Sequence, residues 1–217
     1  MTPKIFNRFL TLFFRLLYHQ FAWAYDFVAA VVSLGRWNSW IKAILPYIDS
    51  ERILELGSGT GVLLSALGSR SCFYIGVDES AQMLQHAQRR VLRTNSRSIH
   101  LIRGCGESIP VQSHYYGVVV ATFPTEYIYS SRTIHEIRRV LQPGGKAVIL
   151  ISAQLGGDRV VERVLRKIFA ITRQSPGSDM DLEIFRRPYA EAGFDAKLEW
   201  ATTLGMDHLL LLIAKSS

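Results

Sequence analysis

The stretch Ile53-Leu54-Glu55-Leu56-Gly57-Ser58-Gly59-Thr60-Gly61 decides the fold. An apolar run, RILEL (52–56), leads into three alternate glycines and then into GVLLSALG (61–68), which reads as a helix. Strand, glycine turn and helix form the opening unit of a doubly wound α/β domain. Glycines there let the backbone turn sharply and lie close against a ligand. The helix start behind them presents N–H groups that have no partner within the helix. The spacing is G-x-G-x-G, whereas dinucleotide sites use G-x-G-x-x-G. Glu55 stands two residues before the first glycine, and a carboxylate at the end of a strand suits a cationic amino group better than a pyrophosphate.

Working outward, the alternation continues. CFYIGVD (72–78), IHLIRG (99–104), YGVVVATF (116–123) and KAVILIS (146–152) read as strands. AQMLQHAQRRVLRT (81–94) reads as a helix with Ser80 as its N-cap, and SRTIHEIRRVLQ (131–142) as a helix ended by Pro143-Gly144-Gly145. The basic amphipathic run GDRVVERVLRKIFAIT (157–172) predicts a further helix, and FRRPYAEAG (185–193) a short one stopped by Gly193. DAKLEWAT (195–202) and HLLLLIAK (208–215) predict a closing pair of strands. The fold class is therefore α/β: a doubly wound, Rossmann-like sheet, mostly parallel, with a C-terminal antiparallel hairpin. Residues 1–50 read as an N-terminal helical lid or appendage, and 51–217 as the main domain. Asp78 ends the second strand about twenty residues after the glycine loop, where an acid holds ribose hydroxyls in doubly wound nucleoside sites.

A chain of 217 residues, 48% hydrophobic and 20% charged, fits one domain with a full core. The net charge of +7 and a pI near 9.6 favour an anionic partner without choosing among nucleic acid, a membrane surface and an acidic small molecule. Cys72 and Cys105 have no metal-type spacing, which argues against a disulfide scaffold and against zinc and points to a reducing cytosol. His19, His114, His135 and His208 form no ligand pattern, so no metal is expected. FLTLFFRLLY (9–18) and FAWAYDFVAAVVSL (21–34) are apolar, but Arg15 and Asp26 interrupt them and each is too short to span a bilayer. Lys4, Arg8, Thr11, Arg15 and His19 draw a narrow basic stripe at helical spacing. Such a helix either packs on the domain or a second copy, or lies in a membrane interface with its arginines toward the headgroups. The expected location is the cytoplasm, with the inner membrane face as its finer form.

ELGSGTG (55–61), GVDES (76–80), CGESIP (105–110) and RVLQPGGKAVI (139–149) together resemble, in order and spacing, the motif series of class I S-adenosylmethionine methyltransferases. The resemblance is greatest to the group that includes the ubiquinone/menaquinone-biosynthesis C-methyltransferases. It covers residues 50–152 well and implies S-adenosylmethionine as the cofactor. By position, it implies that Glu55 and the backbone of Gly57, Ser58 and Gly59 face the methionine part, that Gly61 also belongs to the cofactor loop and that Asp78 holds the ribose. It likewise places Glu79 and Met83 against the adenine plane, Gly106 and Glu107 at the adenine edge, and Ala121 and Thr122 beside the sulfonium. For Met83 a plain core role is the alternative. Two positions depart from the pattern: Cys105 stands where the family usually carries an acid for the adenine amino group, and Gly117 where the fourth strand usually carries one. Tyr25, Asp26, Ser33, Gly35 and Trp40 resemble the group's looser pattern before the first strand, which implies a helix folded over the cofactor with Tyr25 near its methionine end.

After the fourth strand, TFPTEYI (122–128) supplies Glu126 and Tyr127, which with Tyr25 are the candidates for orienting or deprotonating an acceptor. Glu126 has helix capping as its alternative role, and Tyr127 has packing. The single proline and the lack of Asn or Asp in this loop differ from the N/D/S-P-P-aromatic motif of base methyltransferases, and no RNA-binding module is visible, so nucleic acid is not the expected partner. The reading is an enzyme acting on a small-molecule methyl acceptor, with a hydrophobic or membrane-derived one (a quinone precursor or lipid headgroup) suggested by residues 1–20. A polar cytosolic metabolite and a non-catalytic S-adenosylmethionine sensor are the alternatives. The sequence leaves the oligomeric state open.

Overall fold

The computed structural model describes residues 33–67, 70–92, 98–156 and 182–216. Seven strands form one sheet: β1 (Arg52–Leu56), β2 (Phe73–Asp78), β3 (Ile99–Arg103), β4 (Tyr116–Thr122), β5 (Leu141–Gln154), β6 (Phe194–Thr202) and β7 (His208–Ser216). Their order is β3-β2-β1-β4-β5-β7-β6, with β7 antiparallel to both β5 and β6 and the other pairings parallel. This is the doubly wound sheet with a terminal hairpin that the alternation of runs predicts.

Both sheet faces are apolar, so both are covered. One face carries Leu54, Leu56, Ile75, Val119 and Ile149, and α4 (Ser131–Val140) packs there through Ile134 and Ile137. On the other, Ile53, Tyr74, Val118, Val120 and Val148 meet α1 (Trp37–Lys42) and α2 (Val62–Leu67). α3 (Ala81–Val91) follows β2, and the Ser80 hydroxyl accepts the Met83 N–H at its start, as the sequence predicts. α5 (Glu183–Glu191) is followed by Gly193 at φ +85°. Among the described residues no helix is long and apolar enough to cross a membrane. The runs 9–18, 21–32 and 157–172, with Tyr25 and Asp26, lie outside the described residues.

One boundary differs from expectation. α4 ends at Val140 rather than at the Pro143-Gly144-Gly145 stop, and Leu141 already has extended backbone. Leu141 is buried in the face that α4 covers and pairs with Tyr116, so the sheet recruits it before the proline is reached. Pro143 to Gly145 instead form the irregular start of β5, where the register shifts between Tyr116 and Val118.

Gly117 also has a physical reason. A Cβ there would stand 2.2 Å from the Ser50 hydroxyl oxygen, and that hydroxyl accepts the Arg52 N–H at 3.1 Å where the chain enters β1. Ser50 thus fills the space that any side chain at position 117 would need. Gly117→Ala is expected to lower stability by about 1–3 kcal/mol through overpacking. In a Ser50→Gly background the same substitution should cost much less, which a denaturant double-mutant cycle measures.

Candidate cofactor site

The glycine loop sits between the carboxyl ends of β1 and β2. Gly57, Gly59 and Gly61 have φ of +69°, +52° and +80°, a region that side-chain-bearing residues seldom adopt, which explains the alternation. The N–H groups of Gly57 and Ser58 donate to the Val77 carbonyl at 2.8 and 3.1 Å, and the Gly59 N–H donates to Asp78 Oδ2 at 2.8 Å. Ser80 N–H donates to the other oxygen, Oδ1, at 2.9 Å. A carboxylate has about four lone-pair sites, so Asp78 keeps acceptor capacity for a diol while it holds the loop.

A cavity opens over this loop, lined by Trp37, Ile41, Glu55, Gly57, Ser58, Gly59, Thr60, Val62, Leu63 and Thr122. Of the expected residues, the structure brings Glu55, Gly57, Ser58, Gly59 and Thr122 together around one cavity. Ser58 is buried, and its hydroxyl has no hydrogen-bond partner among the described residues. Glu55 is buried too, and burial is the main cause that pushes its carboxyl up to about 8, with the nearby Asp78 charge adding to it. The Tyr74 hydroxyl donates to Glu55 Oε2 and opposes that shift. Such a buried carboxyl can attract a cationic group strongly once it ionises, because its surroundings have a low dielectric.

Of the other expected residues, Met83 is fully buried at the start of α3, and Ala121 is fully buried one residue below Thr122. Glu79 is exposed, and its carbonyl accepts from Arg103. Glu107 is exposed and turns to the start of α4, accepting the Ser130 hydroxyl at 3.1 Å with Arg132 at 3.9 Å. Glu126 is exposed in the 3-10 turn Glu126–Tyr129. Tyr127 lies across the site, since a Cβ on Gly57 would stand 2.9 Å from its hydroxyl, and one on Gly106 2.8 Å from its ring. Among the described residues no three His, Cys, Asp or Glu side chains cluster as a metal site.

Several residues of the lining were not foreseen as site residues: Thr60, Val62 and Leu63 beside the glycines, and two from α1. Trp37 and Ile41 of α1 line the cavity, and Trp37 stacks on Phe123 with ring centroids 4.5 Å apart. Their spacing of four on an amphipathic run was the signal that could have found them. Tyr74 was hidden in an apolar strand; only the pairing of Ile53 with Tyr74 shows that it shares a face with Glu55. α1 is fixed from behind. Ser33, fully buried, accepts the Trp37 N–H at 2.9 Å. Asp207, in the β6–β7 turn and 1% exposed, accepts from Arg36 at 2.6 Å, from Trp40 Nε1 at 2.8 Å and from the Gly156 N–H at 3.0 Å.

With sheet order, glycine loop and acids in place, the chain is a class I methyltransferase in fold. Residues 53–145 match the family model described as a methyltransferase domain. The chain resembles the quinone-biosynthesis C-methyltransferases. It is 28% identical to the ubiquinone/menaquinone biosynthesis C-methyltransferase of Wigglesworthia glossinidia brevipalpis over 62% of this chain and 57% of that protein. It is also 27% identical to the demethylmenaquinone methyltransferase of Clavibacter sepedonicus over 61% of this chain and 55% of that protein. The chain thus matches little more than half the length of these relatives. Among solved structures, a protein of Methanococcus maripaludis named a putative S-adenosyl-L-methionine-dependent methyltransferase superposes with a TM-score of 0.65 at 20% identity, covering 90% of this chain and 92% of that one. Phosphoethanolamine N-methyltransferase 2 of Haemonchus contortus gives 0.61 at 19%, covering 84% and 53%.

Proposed function

We propose that the protein binds S-adenosylmethionine and transfers its methyl group to a hydrophobic small molecule. The residues fit the cofactor. Glu55 suits the ammonium, the glycine backbone lets the methionine part approach closely, Ser58 offers a buried hydroxyl, and Asp78 has acceptor sites for the ribose. Two relatives named as quinone methyltransferases support the same reading, as does the superposed Methanococcus protein named for its dependence on S-adenosyl-L-methionine. S-adenosylmethionine supplies a methyl carbon already activated by a sulfonium, so the chain's work is alignment and exclusion of water. Thr122, at the end of β4, stands on the cavity wall beside Glu55, and Trp37 and Ile41 close that wall with apolar surface.

The observation that carries the acceptor class is this wall. Trp37 lines the cavity together with Ile41, and its ring is held from behind by stacking on Phe123 at 4.5 Å, the residue that follows Thr122. Such a wall favours a flat or lipidic acceptor such as a quinone precursor. Glu126, exposed at the start of the 3-10 turn, is the group we assign to orient or deprotonate the acceptor; Tyr25 is the second candidate. Contact of the basic, apolar segment 1–20 with a membrane face is part of the same proposal.

Incubation with methyl-labelled S-adenosylmethionine and a total lipid extract tests it. Label is expected in the organic phase, falling at least tenfold when Trp37 is replaced by alanine. Label found only in polar metabolites would overturn the lipophilic assignment and keep the transferase.

A further inference from the structure

Two faces of α1 line cavities. Trp37 and Ile41 line the one over the glycine loop, while Asn38 and Lys42, the next residues along, line a separate cavity of about 500 Å³. Residues four apart share a helix face, so each pair falls on one side. Around this second cavity α2 supplies Val62, Ser65 and Ala66, and α3 supplies Arg90. Val62 alone belongs to both linings, so the two cavities adjoin without merging.

The lining is charged in one sense. Lys42 and Arg90 are its charged side chains, and among the described residues no acid lines it. Lys42 is exposed and makes no hydrogen bond or ion pair among the described residues. Arg90 is half-buried, and its Nη1 donates to the Thr60 hydroxyl at 3.0 Å, which fixes the guanidinium at the edge of the glycine loop. The Ser65 hydroxyl donates to the Gly61 carbonyl at 3.1 Å, so the Asn38 amide is the neutral donor of the lining. Leu45, Val62 and Ala66, all half-buried, add apolar surface. Two cations without an acid match a dianion, and a phosphate monoester carries a charge of about −1.5 to −2 at neutral pH. The apolar surface beside them suits an alkyl stem.

We propose that this second cavity binds an amphipathic anion, a phosphate monoester on an apolar stem, with the phosphate held by Lys42 and Arg90 and the stem lying along Val62, Ala66 and Leu45. The site lies beside the cofactor cavity rather than in it, and it stands independently of the cofactor assignment above. The net charge of +7 attracts anions to the chain as a whole. The two cations in one cavity give that attraction a place.

Calorimetric titration of the full chain with octyl phosphate, octanol and inorganic phosphate tests it. Octyl phosphate is expected to bind about tenfold tighter, or more, than either of the others, each of which supplies one half of the ligand. Lys42→Gln and Arg90→Gln should each weaken it about tenfold, the scale of a hydrogen bond to a charged group. Arg89→Gln makes the same charge change one residue away and outside the lining, and should leave the affinity within about twofold. Because Lys42 is exposed, its variant should melt with the native chain. Native affinity in Lys42→Gln overturns the site, and so does an equal weakening by Arg89→Gln, which would mean that net charge alone draws the anion. Inorganic phosphate that binds as tightly as octyl phosphate overturns the apolar half. Displacement of octyl phosphate by S-adenosylhomocysteine would put the anion in the cofactor cavity and overturn the separate site. Failure of S-adenosylhomocysteine to bind the native chain, with octyl phosphate still bound, would sink the cofactor reading and leave this one standing.

Discussion

Replacing Asp207 by alanine is expected to cost about 3–5 kcal/mol of folding stability, the usual loss when one partner of a buried ion pair is removed. The carboxylate is almost wholly buried and accepts from three elements at once: the Arg36 guanidinium, the Trp40 indole N–H and the Gly156 backbone N–H. Truncation removes the acceptor of the Trp40 indole and of the Gly156 N–H, while Arg36 retains the Gly156 carbonyl at 3.3 Å. Arg36 is 22% exposed and can turn to water, which places the loss toward the lower end of the range. Asp207→Asn keeps one acceptor oxygen and should cost less. Urea unfolding measures both. A loss under about 1 kcal/mol for alanine would mean that water replaces the network without strain. The effect should also reach the site, because the same bonds hold the helix that carries Trp37 and Ile41. Weakened binding of S-adenosylhomocysteine at temperatures well below melting is the second expected result.

That dependence shows where the sequence is legible and where it is not. The glycine loop is readable because its chemistry is local. Three positive φ values need three glycines, and Glu55 precedes them on one strand. The element order is readable for a similar reason, since each strand and helix declares its own period. The end of α4 is not, because burial of Leu141 against β4 is a tertiary decision that overrides the proline-glycine signal just after it. Gly117 resembles a lost acid until Ser50, far earlier in the chain, is seen in its space. Asp207 looks like an ordinary turn residue between two strands, where Asp is common. Only the fold brings Arg36 and Trp40 to it across most of the chain's length. Long-range pairings of polar groups carry no periodic signature, so the anchoring of α1 was invisible although the glycine floor of the site was plain.

Glu55→Gln is expected to lower the affinity for S-adenosylhomocysteine roughly 10- to 100-fold, the worth of a hydrogen bond to a charged group, and to remove a pH dependence that the native chain should show. The Glu55 carboxyl titrates near 8 in the folded chain, chiefly because it is buried, against an ordinary value of 4.5. Between those limits the folded state holds a proton that the unfolded state has released. Stability therefore falls as pH rises through this window, with a slope approaching about 1.4 kcal/mol per pH unit. Ligand binding runs the other way. An ammonium group beside Glu55 favours the carboxylate, so affinity should climb from about pH 6 to 8 and level off above, with a proton released on binding at neutral pH. Calorimetry in buffers of different ionisation enthalpy detects that proton directly. The Tyr74 hydroxyl bonds the same carboxyl and opposes its upward shift. Tyr74→Phe should accordingly move the midpoint of the affinity curve to higher pH. Affinity that is flat across that same range in the native chain would show that Glu55 is not the group that meets the ligand's charge.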